Sequence, residues 1–343
     1  MTTAYLTDDS FTQHNHPQHP EQAGRIEAVW QELDSAGLVY QLRRIRPTAA
    51  RDEQILAVHT REHLKRLVAV SQGNRMVRLD PDTYALPVSP EVARLAAGAV
   101  IGAVDAVLST QADNALAIVR PPGHHATADR QMGFCLLNNI AIAARHAQSR
   151  HDLEKVLILD YDVHHGNGSN DIFYADPSVL FISLHQYPHY PGSGALNEIG
   201  EDEGRGATIN IPLSAGHGDA SYRGLFADIV IPAIERFQPD LMLISAGFDA
   251  HWVDPLASMQ LTLSGYDYLA RDCIKLAARL CAGRIVFVME GGYDLRALAH
   301  GWCNIARALL GRDEISDPYG SPRTGSSSDM QPLIEQLRQI HRH

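Results

Sequence analysis

KVLILDYDVHHGNG, residues 155–168, carries an unbroken apolar run, Val156 to Leu159, straight into Asp160, Asp162 and His164. An uninterrupted apolar run of this length reads as a strand buried on both faces, the mark of a parallel sheet rather than of a half-exposed antiparallel one. The same form recurs in ALAIV (115–119), VLFISL (179–184), ATINIPL (207–213), LMLIS (241–245) and RIVFVM (284–289). Helical patterns lie between these runs, at 91–108, 138–148, 222–237 and 266–283. Strands alternating with helices predict an α/β fold of three layers, αβα, with a mostly parallel central sheet. No boundary splits the sheet. We therefore expect one catalytic domain over residues 1–320, then a linker-like stretch, SPRTGSSSD (321–329), and a C-terminal helical extension to 343.

Composition narrows the function. A net charge of -11 leaves no basic patch to offset phosphate repulsion, so nucleic acid is not an expected partner, whereas a cationic substrate is compatible. No stretch reaches the roughly 20 apolar residues of a membrane span. The opening MTTAYLTDDS lacks the basic-then-apolar form of a secretory signal, which predicts a cytoplasmic protein. The four cysteines, Cys135, Cys273, Cys281 and Cys303, are scattered and read as reduced, buried side chains rather than as disulfides or a thiolate metal site.

The chemistry-bearing residues follow the apolar runs. RPPGHH, DYDVHHGNG, SAGFDAHWVDP and MEGGY each begin where a strand ends, and open α/β sheets bind ligands outside the carboxyl ends of their strands. If the chain stays extended past Asp160, alternation puts Asp160, Asp162 and His164 on one side, where a carboxylate and an imidazole can share one zinc ion. An isolated Asp-x-His is more often an acidic strand end whose histidine caps a helix. Here two acids, two histidines and two glycines fall within nine residues, which favours the metal. A catalytic zinc needs a third protein ligand and an open position. SAGFDAHWVDP offers Asp249, His251 and Asp254, and the residues alone do not choose among them. The tandem His124–His125, behind two prolines and a glycine, suits proton transfer near neutral pH, with Asp160 and Asn167 available to orient the rings. Tyr293, in a glycine turn, either packs there or donates its phenol to a developing oxyanion.

Taken together, RPPGHHA, MGFCLLNN, DYDVHHGNG, FISLH, PGSG, AGFDAHWVDPL and EGGYDL resemble the histone deacetylase and acetylpolyamine amidohydrolase family, in order from Pro17 to Leu309. The resemblance implies an arginase/deacetylase-like fold and hydrolysis of acyl-amides by metal-activated water. It implies zinc held by Asp162, His164 and Asp254, the third ligand being the aspartate before Pro255. It implies His125 as general base with His124 as its partner, Asp160 orienting His124, Asn167 orienting His125, and Tyr293 stabilising the oxyanion. Gly133, Phe134 and Tyr190 would line a narrow tunnel for the acylated chain, and Arg25 would match an arginine near an internal channel. Backbone carbonyls of Asp160, Asp162 and His164, with Ser183, would hold a structural potassium ion. Iron(II) suits the same N/O donors as zinc. Homodimers and tetramers are common in the family.

Two departures bear on subtype. Asn167 stands where class I enzymes carry aspartate, which sides with class II and bacterial homologues. Leu256 follows the Asp-Pro pair, where a polyamine-selective relative has a glutamate, so the reading leans toward acyl-lysine, with an acetylpolyamine as the alternative substrate. Asp82, in the short connection RLDPDTYALPVSP, is the candidate rim acid that contacts substrate. A two-metal ureohydrolase of the same fold needs a further carboxylate two residues after His164, where this chain has Gly166. A catalytically dead, ligand-binding relative would lack a ligand, base or tyrosine, and none is missing.

Overall fold

The computed structural model describes residues 2–322 and 329–341. Ten strands occur among them: β1 (Thr3–Leu6), β2 (Arg43–Ile45), β3 (Val77–Arg78), β4 (Tyr84–Ala85), β5 (Asn114–Ala117), β6 (Val156–Asp160), β7 (Val179–Gln186), β8 (Thr208–Leu213), β9 (Leu241–Ala246) and β10 (Ile285–Met289). Eight form one sheet in the order β2-β1-β5-β10-β9-β6-β7-β8, and every pairing in it is parallel. β6, β7, β9 and β10 are buried along their whole length, as their unbroken apolar runs demand. Two helical groups cover the sheet. One pairs Ser89–Leu108 with Asn139–His151; the other joins Gly24–Ser35, Leu295–Leu309 and Leu263–Leu280. This is the three-layer αβα architecture expected.

Each of the six apolar runs is a strand, with ends shifted by a residue or two. The sequence reading missed β1 and β2, which are short and lie toward one edge, where Arg43 and Arg44 are exposed and no apolar run forms. It also joined 222–237 into one helix. The structure divides this stretch, with a π-helical turn at Phe226–Val230 between Asp219–Leu225 and Ile231–Phe237. β3 and β4 pair antiparallel and hold the Asp80–Thr83 turn. Of the expected linker, residues 323–328 lie outside the described residues. The terminal helix Gln331–His341 buries Ile334 and Leu337. No helix among the described residues is long and apolar enough to cross a membrane.

The strand order explains the site. β5, β10, β9 and β6 are neighbours in the sheet although about 170 residues separate the two farthest apart in sequence. Because all four run the same way, the four motif loops leave the same sheet edge side by side.

Candidate active site and metal centre

β6 ends at Asp160, and the chain bends at residues 162–164 rather than staying extended. The convergence of Asp160, Asp162 and His164 therefore does not come from strand alternation, which is a correction to the sequence reading. It comes from two successive side-chain-to-backbone turns. Asp162 N donates to Asp160 Oδ1 at 3.1 Å, and His164 N donates to Asp162 Oδ1 at 3.0 Å. Each aspartate caps the amide two residues on, a local bond that competes with the strand ladder and bends the chain. Gly166 follows because nothing larger fits: a Cβ there would lie 2.1 Å from Asp160 Oδ2.

The histidine pair is held by separate acceptors. His124 Nδ1 lies 2.9 Å from Asp160 Oδ2, and His125 Nδ1 lies 2.8 Å from Asn167 Oδ1. The two rings stand 4.0 Å apart. With Nδ1 of each ring turned to an oxygen, Nε2 is the atom left for chemistry. Burial alone would hold His124 neutral, but Asp160 and Asp162 outweigh it and raise its pKa to about 10. His125 moves the opposite way, well below its ordinary value, through burial and the charge of His124 and His164. The adjacent imidazoles are thus pushed to opposite protonation states.

Next to them lies a carboxylate–imidazole–carboxylate cluster. His164 Nδ1 is 3.2 Å from Asp162 Oδ1 and 3.1 Å from Asp249 Oδ2. Asp162, His164 and Asp249 are buried and offer ligand atoms within 4.8 Å of one another. Asp254 is set differently. Its Oδ2 accepts from Tyr293 N at 2.7 Å and Asp294 N at 3.2 Å, and its Oδ1 from Leu256 N at 3.0 Å. Burial and the charge of Asp249 raise its pKa to about 7. The tight cluster thus contains Asp249, whereas Asp254 is anchored to the loop that carries Tyr293. His251 turns away, packing against Trp252 and Tyr319. Hard and borderline donors crowded with buried carboxylate charge fit a divalent transition metal.

Around this centre stand the expected tunnel residues. Gly133 has φ +56° and lies so close to His125 that a Cβ would fall 2.3 Å from its Cδ2. Phe134 meets the Tyr293 ring edge-on at 5.8 Å, and Tyr190 meets His125 edge-on at 5.2 Å. Leu256 is half-buried, and its carbonyl lies 3.0 Å from His189 Nε2. Asp82 Oδ1 accepts from Thr83 Oγ1, which in turn accepts from Phe134 N at 3.0 Å, so the Asp80–Thr83 turn is tied to Phe134. Ser183 pairs in register with Asp160 across β6 and β7. Arg25 lies over the Tyr293 ring at 4.9 Å and donates to the carbonyls of Gly292 and Glu290.

A family model, the histone deacetylase domain, matches residues 19–309. The chain belongs to the histone deacetylase family. It is 42% identical over 305 residues to a histone deacetylase-like amidohydrolase of Pseudomonas aeruginosa, covering 88% of this chain and 79% of that protein. It is 39% identical to a probable deacetylase of Archaeoglobus fulgidus, with 99% and 98% covered. Histone deacetylase 14, chloroplastic, of Arabidopsis thaliana is 39% identical over 96% of this chain and 82% of its own length. The crystal structure of the HDA15 HD domain superposes with a TM-score of 0.91 at 36% identity, over 99% of this chain and 94% of that one. This deacetylase-family chain is accordingly an amide hydrolase acting on acylated amines, in a family that is generally metal-dependent.

Sequence reasoning missed two supports of the deacetylase site. Glu290 is fully buried, and its Oε2 accepts from Gly123 N at 2.7 Å and His124 N at 3.2 Å. It fixes the loop that presents both histidines. Its only sequence signal is an acid closing an apolar run. His189 stacks on His164 at 5.1 Å, a contact between two loops that no local pattern announces.

Proposed function

We propose that this chain is a zinc-dependent deacylase whose substrate is an acylated lysine side chain. The observation that carries the reading is the pair of parallel dyads, His124–Asp160 and His125–Asn167, set beside the buried Asp162–His164 cluster. Zinc, held by Asp162, His164 and Asp254, would supply Lewis-acid polarisation of the amide carbonyl and acidify the attacking water. His125 Nε2 takes the proton from that water, because Asn167 keeps Nδ1 occupied while burial and the charge of His124 and His164 hold the ring neutral. His124, held charged by Asp160, steadies the developing negative charge and hands a proton to the leaving amine. The Tyr293 phenol donates to the oxyanion from the opposite side. Phe134 and Tyr190 flank the aliphatic chain, Gly133 lets the wall approach His125, and Asp82 meets the substrate backbone at the rim. Leu256 supports acyl-lysine over a polyamine, since it presents no charge to a distant ammonium.

A structural potassium ion would sit on the backbone carbonyls of Asp160, Asp162 and His164 with Ser183, the register partner of Asp160. Residues 1–320 would make up the catalytic unit, with the following segment as an extension. The four buried, unpaired cysteines suit a reducing compartment such as the cytoplasm. The lack of room at Gly166 weighs against the second carboxylate ligand set of a ureohydrolase.

The test is kinetic. Chelator-stripped protein, reloaded with zinc or iron(II), is assayed on matched acyl-lysine peptides and acetylpolyamines. Higher kcat/KM on the peptides supports the proposal. A preference for acetylpolyamines replaces the substrate, and no hydrolysis of either by metal-loaded protein removes the enzyme reading.

A further inference from the structure

Three metal-binding side chains meet away from the active-site loops, where helix Ser89–Leu108 packs on helix Asn139–His151. Asp105 comes from the last turn of the first helix, His146 and His151 from the second. Asp105 Oδ1 lies 2.7 Å from His146 Nε2 and 2.7 Å from His151 Nε2. The three ligand atoms lie within 4.8 Å of one another. The Asp105 side chain is 47% exposed and that of His151 23%, so an ion and its waters can reach the cluster from solvent. None of the three belongs to the deacylase machinery.

We infer that Asp105, His146 and His151 form a second, non-catalytic site for a divalent transition metal, zinc foremost, that pins these two helices together. Two imidazoles and a carboxylate are a donor set that zinc accepts, with water filling the fourth position. Donors in a tetrahedral zinc site with bonds of about 2.0–2.1 Å stand about 3.3 Å apart. The rings therefore have to withdraw only about 0.6 Å from Asp105 Oδ1. A neutral imidazole that ligates through Nε2 carries its hydrogen on Nδ1, away from Asp105.

That tautomer identifies a further participant. His146 Nδ1 faces Gln54 Nε2 at 3.3 Å, while Gln54 Oε1 accepts from Arg51 N at 2.9 Å. A loaded His146 would direct an N–H at an amide donor. Gln54→Glu keeps an acceptor for Arg51 N and puts a carboxylate oxygen against the Nδ1 hydrogen. Such partners of liganding histidines alter metal affinity by about 10–100-fold.

The experiment is zinc titration of the full chain by calorimetry, with metal counted after equilibrium dialysis. Wild type is expected to take two equivalents, and His151→Ala and Asp105→Ala one each, with deacylase turnover of His151→Ala unchanged. Gln54→Glu is expected to bind the second equivalent about 10–100-fold more tightly. His164→Ala should lose the other equivalent and keep this one, so failure of the catalytic reading and failure of this one are seen separately. A single equivalent in wild type up to millimolar zinc, lost in His164→Ala and kept in His151→Ala, overturns the inference. So does a second equivalent that survives both His151→Ala and Asp105→Ala, or that Gln54→Glu weakens.

Discussion

Asp254→Asn and Asp249→Asn separate two ligand sets that the geometry brings into competition. Both variants should fold. In Asp254→Asn the new side chain can turn its carbonyl toward the Tyr293 and Asp294 amides and loses only the bond to Leu256 N, a cost of about 1 kcal/mol. In Asp249→Asn the side-chain carbonyl can stay on Val163 N, 2.9 Å away in the parent, while the amide faces His164 Nδ1. The metal readout should differ. If Asp254 is the ligand, Asp254→Asn removes one of the three protein donors and leaves the active-site position without zinc after dialysis, whatever the Asp105 cluster retains. Asp249→Asn then alters only a neighbour of His164, costing about 10–100-fold in affinity, or about 1.4–2.8 kcal/mol. The assay is zinc content by plasma mass spectrometry, with affinity from competition against a chromophoric chelator. The reverse order, with the active-site equivalent lost in Asp249→Asn and retained in an active Asp254→Asn, would refute the assignment and make Asp162, His164 and Asp249 the metal set.

Tyr293→Phe should retain zinc while kcat falls about 10²–10³-fold, and near-normal turnover would take the phenol out of the mechanism. Gly133→Ala should leave the fold by circular dichroism but cut turnover sharply, because its Cβ would fall 2.3 Å from His125 Cδ2 at a φ of +56° that alanine disfavours; an active variant would show that the loop can yield. Glu21 is buried between Arg120 and Arg25, and Glu21→Gln should cost about 3–5 kcal/mol by urea unfolding, since it strands buried charge. Burial alone would raise the Glu21 pKa, but Arg120, His14 and Arg25 outweigh it and hold it at about 2, below its ordinary 4.5. Its contribution is therefore complete above pH 4.5 and lost as pH falls toward 2, so the variant's unfolding curve should be flatter than the parent's across that window.

The buried strands were legible because burial on both faces leaves nothing but apolar side chains, as in Val156 to Leu159. β1 and β2 were not, since four and three residues near an edge carry no such run. Asp160, Asp162 and His164 were found for a reason that proved incomplete: spacing suggested alternation, but the aspartates bend the backbone with their own carboxylates. The pairings of His124 with Asp160 and of His125 with Asn167 were anticipated, by the resemblance and by which acceptors lay free of the metal. Glu290 escaped notice because its partners are amides 166 and 167 residues away, and only the sheet order brings them together.

That order has a consequence for how the sheet closes. β10, the last strand in chain order among the described residues, occupies the middle of the sheet, between β5 and β9. Without Ile285–Met289 the sheet would fall into two groups of strands, each with an inner edge of unpaired backbone groups. A chain lacking this one five-residue strand would thus present two unpaired edges of the kind that invites self-association. The same strand delivers Glu290 and Tyr293 to the site, so the sheet's closure and the completion of the catalytic constellation depend on one short segment.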